Sequence, residues 1–331
     1  MVKSGIAAMT KDVSVIIRSV GERTEALCKK LILEQGVPEE NVVIVKEAPF
    51  SAAMKKSFQI GIELRLPWTF CVDADVLLRP DSIKQLLGFA DKQKNNVAEI
   101  QGLVLDKFFG GPRPAGNHLY RTSLLEKVIE KIPREGISIR PEYYTLNRMK
   151  KAGYPWYNIS LLVGLHDFEQ YNLDIFRKCM VHAYKHLGWM EVFVPYWQKS
   201  MKQDNDYHVA LSGLAAGIMH CEDMYIDVNQ TVYSMLFARA NIEEKKELNN
   251  NTSLADVEAI IHKWQEPAEF INNQPKGFKV DFRRVRVLNP VSKLDFLKSK
   301  NDEIGCVRLF PWLFGRVLEK TGARLCGFLE K

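Results

Sequence analysis

The sequence predicts an α/β fold in which a mostly parallel sheet carries helices on both faces. Three apolar runs, VSVII (13–17), NVVIV (41–45) and WTFCV (68–72), have the composition of strands that are buried on both sides. The segments between them, TEALCKKLILEQ and SAAMKKSFQIGIEL, have apolar residues at helical spacing. Strand–helix–strand alternation at this density favours right-handed crossovers and parallel neighbours.

The third predicted strand is followed by two aspartates and then by another helix. Pro80 stands where a helix can begin, and DSIKQLLGFA continues the helical spacing. After Gln170 the pattern is mainly helical to about Glu247, and NNNTS (249–253) has the composition of a linker. We therefore expect a catalytic domain over 11–190, a helical extension packed on it over 191–248 and a basic C-terminal segment over 249–331.

The composition is that of an ordinary globular protein, with 46% hydrophobic and 26% charged residues in 331. The six cysteines form no CxxC pair, which disfavours a zinc ribbon or a disulfide framework and favours a reducing, cytoplasmic location. The N-terminus, MVKSGIAAMTKDVSVII, lacks the apolar core and cleavage site of a signal peptide. No uncharged stretch approaches the roughly 20 residues that a membrane-spanning helix needs.

The positive charge is concentrated at the C-terminal end. The net charge is +6, and from Lys276 onward thirteen Lys and Arg face six Asp and Glu. Such a basic segment favours an anionic partner, such as the inner face of a membrane, to which the protein would bind peripherally. The alternative for CVRLFPWLFGRVLEKTGARLCGFL is a helix that packs back on the catalytic body or on a second subunit.

Asp73 and Asp75 follow the third predicted strand directly. In open α/β sheets, ligands bind beyond the carboxyl ends of the strands, so these carboxylates are expected at a ligand site and not within the core. Two carboxylates one residue apart can hold Mg²⁺ or Mn²⁺, which neutralises a diphosphate leaving group. A solvated turn is the alternative for a D-x-D pair taken alone. GxGxxG after the first strand and GxxxxGK[ST] are both absent, which removes the main support for dinucleotide-binding and P-loop classes.

Two segments resemble the family 2-like glycosyltransferases. VSVIIRSVGERTEALCKKLILEQ is similar to their opening strand, loop and helix, and FCVDADVLLRPDSIKQLL is similar to their D-x-D segment. The resemblance covers roughly residues 11–170 and implies the GT-A fold, a UDP- or GDP-sugar donor, Mn²⁺ or Mg²⁺, and a glycan or lipid-linked glycan as acceptor. It implies no nucleic-acid partner, and it makes Asp73 and Asp75 the ligands of the ion that holds the donor's diphosphate.

A third segment, RPEYYTLNRMKKAGY, resembles the pattern ED-x-x-L-x-x-R-x-x-x-x-G of many inverting members. It keeps the spacing from Arg148 to Gly153 but has Pro141 and Glu142 in place of the acidic pair. The resemblance implies that Glu142 is the general base of an inverting displacement, since a carboxylate beside the acceptor hydroxyl can take its proton. Pro141 is also a normal first residue of a helix, and Glu142 would then serve only as a favourable N-terminal charge.

A histidine after this helix often completes the metal site of GT-A enzymes. His166, in LLVGLHDF, takes that place, and an imidazole can join two carboxylates around Mn²⁺. Asp167 beside it is expected in a catalytic role, orienting another ligand or contacting the acceptor. A single histidine can equally be structural.

Other polar positions are candidates for binding the donor and the acceptor. The loop RSVGERT after the first strand is expected to face the base and ribose, with Arg18 and Glu22 as the candidates. In FFGGPRPAGNHLYRTSLL, glycines that permit close backbone approach and polar residues are expected near the donor sugar and acceptor, although turns explain the segment equally well. These residues are Gly110, Gly111, Asn117, His118 and Arg121.

Weaker patterns and rival functions remain open. Lys55 and Lys56 could contact phosphate or be solvated, and His182 and His186 are four apart without the glutamate of a zinc HExxH helix. The acidic pair in HCEDMY ranks behind Glu142 as a source of the base. A sugar-nucleotide nucleotidyltransferase and a non-catalytic glycan-binding or scaffold protein are the two alternative functions.

Overall fold

The computed structural model describes residues 10–135, 137–138, 140–220, 231–249 and 251–264, which belong to one compact unit. The basic segment beyond 264, with its predicted membrane-surface helix, and the acidic pair of HCEDMY lie outside these residues. The strands are β1 (Val13–Ser19), β2 (Val42–Lys46), β3 (Trp68–Asp73), β4 (Val76–Leu78), β5 (Glu99–Asp106), β6 (Gly111–Arg113), β7 (Asn117–Arg121) and β8 (Trp156–His166). The α-helices are α1 (Glu25–Leu33), α2 (Phe50–Leu64), α3 (Ser82–Ala90), α4 (Leu125–Ile129), α5 (Pro141–Lys151), α6 (Asn172–Lys185), α7 (Met190–Ser200), α8 (Asp206–Met219), α9 (Thr231–Arg239) and α10 (Leu254–Lys263).

The strands form one mixed sheet in the order β2-β1-β3-β7-β5-β8-β4, and β6 pairs with β5. β1 is parallel to β2 and β3, and β5 is parallel to β8, as the α/β prediction requires. The pairs β3–β7, β5–β6, β5–β7 and β4–β8 are antiparallel. A mostly parallel sheet is therefore only partly correct. One reason is the turn at 107–110, which reverses the chain from β5 into β6, while β7 continues in the direction of β6 along the same edge of β5, so that both are antiparallel to β5.

Helices cover both faces of the sheet, as predicted. All seven residues of β1 are buried, and successive side chains enter opposite layers. Val15 and Ile17 belong to a cluster shared with α1 and α3, whereas Ile16 packs with Met54 and Phe58 of α2. The β-branched run of β1 is thus explained by burial on two sides.

A helical layer made by α6 to α9 packs against the end of β5. Its apolar cluster includes Phe108 and Phe109, which follow β5 directly. α8 approaches α6 closely at two glycines: a Cβ on Gly213 would lie 2.3 Å from the carbonyl oxygen of Phe176, and one on Gly217 would lie 2.4 Å from that of Met180. The helical layer begins at α6, inside the segment that the sequence assigns to the catalytic domain.

Three cysteines, Cys28, Cys71 and Cys179, are buried free thiols. None of the described helices combines the length and apolar character required to cross a membrane.

Candidate metal and nucleotide site

The sheet brings the predicted carboxylates and histidine together through two strand pairings. β1 and β3 are parallel neighbours, and their register places Arg18 opposite Asp73. β4 and β8 are antiparallel with Val76 opposite His166, so Asp75 meets the residues that end β8. The backbone N–H of Asp167 donates to the carbonyl of Asp75. Residues about 90 positions apart in the chain therefore share one corner of the sheet.

Asp75, His166 and Asp167 form a cluster with the donor set of a metal site. Each offers one ligand atom, and these atoms lie within 4.8 Å of one another. Nε2 of His166 is 3.6 Å from Oδ1 of Asp75, and this buried oxygen has no hydrogen-bond partner. Two carboxylates and an imidazole suit Mn²⁺ or Mg²⁺, and the unpartnered oxygen is an available ligand. The residues present therefore fit a divalent ion.

Asp106 at the end of β5 orients the histidine, and the sequence analysis missed it. Oδ2 of Asp106 lies 2.8 Å from Nδ1 of His166 and accepts a second bond from Nε of Arg113 at 2.6 Å. A carboxylate on one ring nitrogen leaves the other free to bind a metal. Burial lowers the pKa of His166, but the charges of Asp167 and Asp75 outweigh it and raise the pKa to about 10 in the ion-free site. A polar residue ending the buried run EIQGLVLD was the available signal.

Lys178 of α6 supplies a positive charge to the same cluster. Its ammonium contacts the carboxylates of both Asp75 and Asp167. Burial raises the pKa of Asp167, but His166 and Lys178 outweigh it and hold the pKa well below its usual range. Asp167 also has a backbone φ of +65°, a left-handed conformation that non-glycine residues rarely adopt outside functional sites and turns.

Asp75 also opens onto a cleft of about 600 Å³, counting the solvent at its mouth. Asp73 faces the cleft but lies outside the three-residue cluster, so the structure exchanges Asp73 for Asp167 in the predicted metal set. The cleft is lined by Arg18, Ser19, Val20, Glu22, Glu47, Ala48, Phe50, Ala53, Asp73, Asp75 and Arg177.

Arg18 and Glu22, the residues predicted on the nucleotide side, both line this cleft. Arg18 donates from Nε to Oδ1 of Asp73 at 2.8 Å, and its guanidinium lies over the ring of Phe50 at 4.8 Å. Its Nη2 is buried without a hydrogen-bond partner, which leaves a charged donor for a ligand. Burial and the charge of Asp75 raise the pKa of Glu22 to about 7.

Glu142 occupies a buried position that favours positioning over proton transfer. Its Oε1 accepts from Nη1 of Arg18 at 2.9 Å and from the hydroxyl of Tyr120 at 2.8 Å, and its Oε2 lies 3.0 Å from Nε2 of His118. Burial raises the pKa of Glu142, but Arg18 and His118 outweigh it and hold the pKa far below the ordinary value. A carboxylate held in this form is a weak base near neutral pH. Pro141 is the first residue of α5, as the alternative interpretation of the segment expects.

The structure places the predicted sugar-contacting residues in supporting positions. Gly110 ends the turn between β5 and β6, Gly111 is the first residue of β6, and neither lines the cleft. The amide of Asn117 accepts from the N–H of Gly102 at 2.8 Å and donates to its carbonyl at 3.2 Å, which joins β7 to β5. His118 lies 2.9 Å from Glu99 through Nδ1 and is buried.

Arg121 lies at the wrong end of the sheet for a ligand contact. β7 is antiparallel to β3, so Arg121 pairs with Trp68 and its guanidinium covers the Trp68 ring at 4.3 Å. Five residues of strand, about 17 Å, separate Trp68 from Asp73. The prediction for Arg121 is corrected: it is a structural residue that the sequence spacing alone could not orient.

The lysine and histidine pairs of the weaker patterns lie away from the cleft. Lys55 and Lys56 are exposed on α2, outside the cleft lining. The rings of His182 and His186 meet edge to face at 5.1 Å, and both pack against Phe109. Neither histidine belongs to the candidate metal cluster.

Comparisons with known proteins concern the fold. No protein-family model and no curated protein matches the chain. A glycosyltransferase involved in the glycosylation of the major capsid of PBCV-1 is 14% identical over 45% of this chain and 84% of that one, with a TM-score of 0.33. A mannosyltransferase from Pyrobaculum calidifontis, in complex with GDP-Man and Mn²⁺, is 11% identical over 70% and 79%, with a TM-score of 0.32. A CMP:2-keto-3-deoxy-manno-octonic acid synthetase complexed with CTP is 11% identical over 46% and 92%, with a TM-score of 0.30.

Proposed function

We propose that the chain is a metal-dependent glycosyltransferase, which moves a sugar from a nucleoside-diphosphate donor to a hydroxyl acceptor. The observation that carries this proposal is the position of Asp75, which belongs both to the three-residue cluster and to the lining of the 600 Å³ cleft. An ion held by this cluster would meet a ligand that enters the cleft. Both lie at the carboxyl ends of β1 and β3, where open α/β sheets bind their ligands.

Asp75, His166 and Asp167 would hold the ion, with Asp106 fixing the ring of His166. When bound, Mn²⁺ or Mg²⁺ would neutralise negative charge on the diphosphate as it becomes the leaving group. The unpartnered Nη2 of Arg18 adds a fixed positive donor on the other side of the cleft. The site thus combines the two features that a diphosphate needs, a cation site and a guanidinium.

Glu142 contributes to this arrangement by holding Arg18. Because Arg18 is bonded to Asp73 and Glu142 at once, its guanidinium cannot rotate away from the cleft. The expectation of an inverting reaction depended on Glu142 as the base. The proposal therefore covers sugar transfer and not its stereochemistry.

The test is a panel of UDP-, GDP-, dTDP- and CDP-sugars with Mn²⁺ or Mg²⁺. Release of a nucleoside diphosphate from one of them, dependent on the ion, is the expected result. Asp75→Asn is expected to lower this release by about 100-fold or more, since it removes a charged ligand. Asp12→Asn is the matched control, because Asp12 is exposed and precedes β1 at the opposite edge of the sheet.

Two outcomes would contradict the proposal. Release of pyrophosphate from a nucleoside triphosphate and a sugar phosphate would identify a nucleotidyltransferase. An equal rise of Tm with Mn²⁺ in the wild type and in Asp75→Asn would show that the ion binds elsewhere.

A further inference from the structure

A group of cations at the C-terminal end of α6 has few acidic partners among the residues that the structure describes. Nζ of Lys185 makes no hydrogen bond or ion pair with the described residues. The guanidinium of Arg140 donates to the carbonyl of Lys185 at 2.8 Å and lies 3.3 Å from Nδ1 of His186, and neither partner is an acid. Arg113 pairs with Asp106 at 2.6 Å. Within the described part of the chain, the three cations Arg113, Arg140 and Lys185 therefore have one carboxylate, that of Asp106, and we call them the cation cluster.

The electrostatic cost of this cluster is visible in the groups around it. Lys185 is half-buried, and burial together with Arg113 and Arg140 lowers its pKa to about 7. Burial and the charge of Arg113 also lower the pKa of His182 to about 3. A fold does not gain stability by desolvating like charges without partners. Such conflicts are concentrated at functional sites.

The cluster lies near the candidate metal site. Lys185 is seven residues, or two turns, beyond Lys178 on the same face of α6, about 10 Å farther along the helix. Lys178 itself contacts Asp75. The negative charge of Asp73 raises the pKa of Lys185, although no contact joins the two. A ligand held at Lys185 would therefore lie roughly 10 Å along α6 from the candidate metal site.

Stabilisation of the helix end is the competing explanation. Cations at a helix C-terminus interact with the carbonyl groups there, and the bond of Arg140 to the carbonyl of Lys185 is of this kind. That interaction corresponds to about half a negative charge, against three cations. It also leaves the Nζ of Lys185 unexplained, since this atom contacts no carbonyl of the described residues.

We propose that Arg113, Arg140 and Lys185 bind a phosphate group of the acceptor. The inference rests on the proposed transferase function and names the class of its acceptor. Among the described residues Asp106 is the one carboxylate paired with these cations, and a phosphate monoester of about −1.5 to −2 at neutral pH would supply more of the missing negative charge, and favour the protonated Lys185 more, than a single carboxylate. The guanidinium fork of arginine also suits the oxygens of phosphate. The same phosphate chemistry occurs in soluble sugar phosphates and in phosphorylated lipids.

The test measures the binding of two phosphate probes to the full chain, one for a soluble phosphate and one for a lipid phosphate. Glycerol 3-phosphate represents a soluble monoester, and vesicles of phosphatidylcholine with phosphatidic acid represent a lipid monoester. The double variant Lys185→Met/Arg140→Gln is expected to bind its probe at least tenfold more weakly than the wild type, and Lys185→Arg is expected to stay close to the wild type. Lys92→Met/Lys94→Gln, which removes two exposed positive charges, is the charge-matched control. Lys92 is exposed and follows Asp91, which accepts a bond from Trp68 at the far end of β3.

Each result has a defined meaning. Lys185-dependent binding of glycerol 3-phosphate assigns a soluble acceptor, and Lys185-dependent binding of the vesicles alone assigns a lipid phosphate. Equal binding of both probes by the wild type and the double variant overturns the proposal. A Tm that falls in Lys185→Met would also overturn it, because removal of an unpaired cation is expected to preserve or raise the Tm, whereas loss of a stabilising helix end would lower it.

Donor affinity, measured in parallel with Mn²⁺, separates this inference from the proposed function. If the double variant loses donor affinity as strongly as phosphate affinity, the cluster serves the donor diphosphate and the acceptor assignment is overturned. If the wild type binds glycerol 3-phosphate through Lys185 but cleaves no donor, the transferase proposal fails, and the acceptor role fails with it while the phosphate site stands.

Discussion

The neighbours of Glu142 indicate which role its carboxylate has in the folded protein. We predict that Glu142→Gln lowers the free energy of unfolding by about 3 kcal/mol or more, since it leaves Arg18 and His118 buried without their common counter-charge. Donor affinity should fall as well, because Arg18 is no longer fixed. Urea unfolding and donor binding measure the two effects, with the exposed Glu126→Gln as control. Normal stability and donor affinity with a large loss of turnover would instead support the role of a general base.

Asp106 acts through the ring of His166, and its substitution isolates that action. In Asp106→Asn, the side-chain oxygen can still accept from the N–H groups of Phe108 and Phe109, but the negative charge of the carboxylate beside Nδ1 of His166 is lost. We expect the affinity for Mn²⁺ to fall by roughly 10- to 100-fold, the usual effect of removing such a partner. Isothermal titration measures it against Asp12→Asn. An unchanged affinity would exclude His166 as a ligand.

The sequence could predict a site residue only where its place at the end of a strand determines where it lies in the folded sheet. Asp75 and His166 follow strand ends, and a D-x-D pattern with a later histidine was enough to propose them together. Lys178 was not predictable, because a lysine within a helix has the same pattern whether it is solvated or bound to two carboxylates. To predict that Asp106 lies at the site, one would have to know that β5 pairs with β8, and the sequence does not indicate this pairing.

The contact of α6 with α8 fixes the position of Lys178. A side chain at Gly213 would meet the backbone of Phe176, so the two helices would have to separate. We predict that Gly213→Leu lowers the free energy of unfolding by about 1–3 kcal/mol and also weakens Mn²⁺ binding, because α6 carries Lys178 to Asp75. Gly188→Ala is the control, since a Cβ there meets nothing within 4 Å. Equal unfolding curves for Gly213→Leu and Gly188→Ala would contradict the prediction, because they would show that the close contact of α6 with α8 does not stabilise the fold.

Among the elements, the strands with clear two-sided burial were predicted and the short ones were not. VSVII and WTFCV correspond to β1 and β3, because a buried strand has an apolar run as its visible pattern, and NVVIV corresponds to β2, a partly buried strand at the edge of the sheet. β6 and β7 lie in GPRPAGNHLYR, where Gly and Pro indicate turns. The antiparallel half of the sheet is formed by these short strands, which explains why the parallel character was overestimated.

At the scale of the whole molecule, a buried network of charges crosses the sheet and reaches the cleft. It runs from Glu99 through His118 and Glu142 to Arg18 and Asp73, with contacts of 2.8 to 3.0 Å. Such a network is stable only in one protonation pattern, since each charge is desolvated. The stability of the fold and the geometry of the cleft are therefore linked through the same groups.

This network predicts the pH dependence of folding. Burial lowers the pKa of His118, but Glu142 and Glu99 outweigh it and raise the pKa to about 9, against 6.5 for an exposed histidine. A group whose pKa is higher in the folded than in the unfolded protein contributes its full stabilisation of the fold at pH values below the unfolded pKa. For His118 this contribution is lost as the pH rises through the folded pKa of about 9. The pKa of Glu99, raised to about 7 mainly by burial, acts in the same direction from pH 4.5 to 7. The pKa of Glu142 is lowered, so Glu142 stays charged throughout.

We therefore expect the contribution of this network to the free energy of unfolding to fall as the pH rises from about 5 to about 9. The part that belongs to His118 amounts to about 3 kcal/mol, since one pKa unit corresponds to about 1.4 kcal/mol. Urea unfolding of the wild type and of His118→Gln across this range measures it, and the exposed His262→Gln is the control. His118→Gln should be less stable at pH 6 and should show a flatter profile above pH 6.5, because its ring no longer loses a proton there. Parallel profiles of wild type and His118→Gln would mean that the histidine is neutral in the folded protein, and the charge network would then end at Glu142.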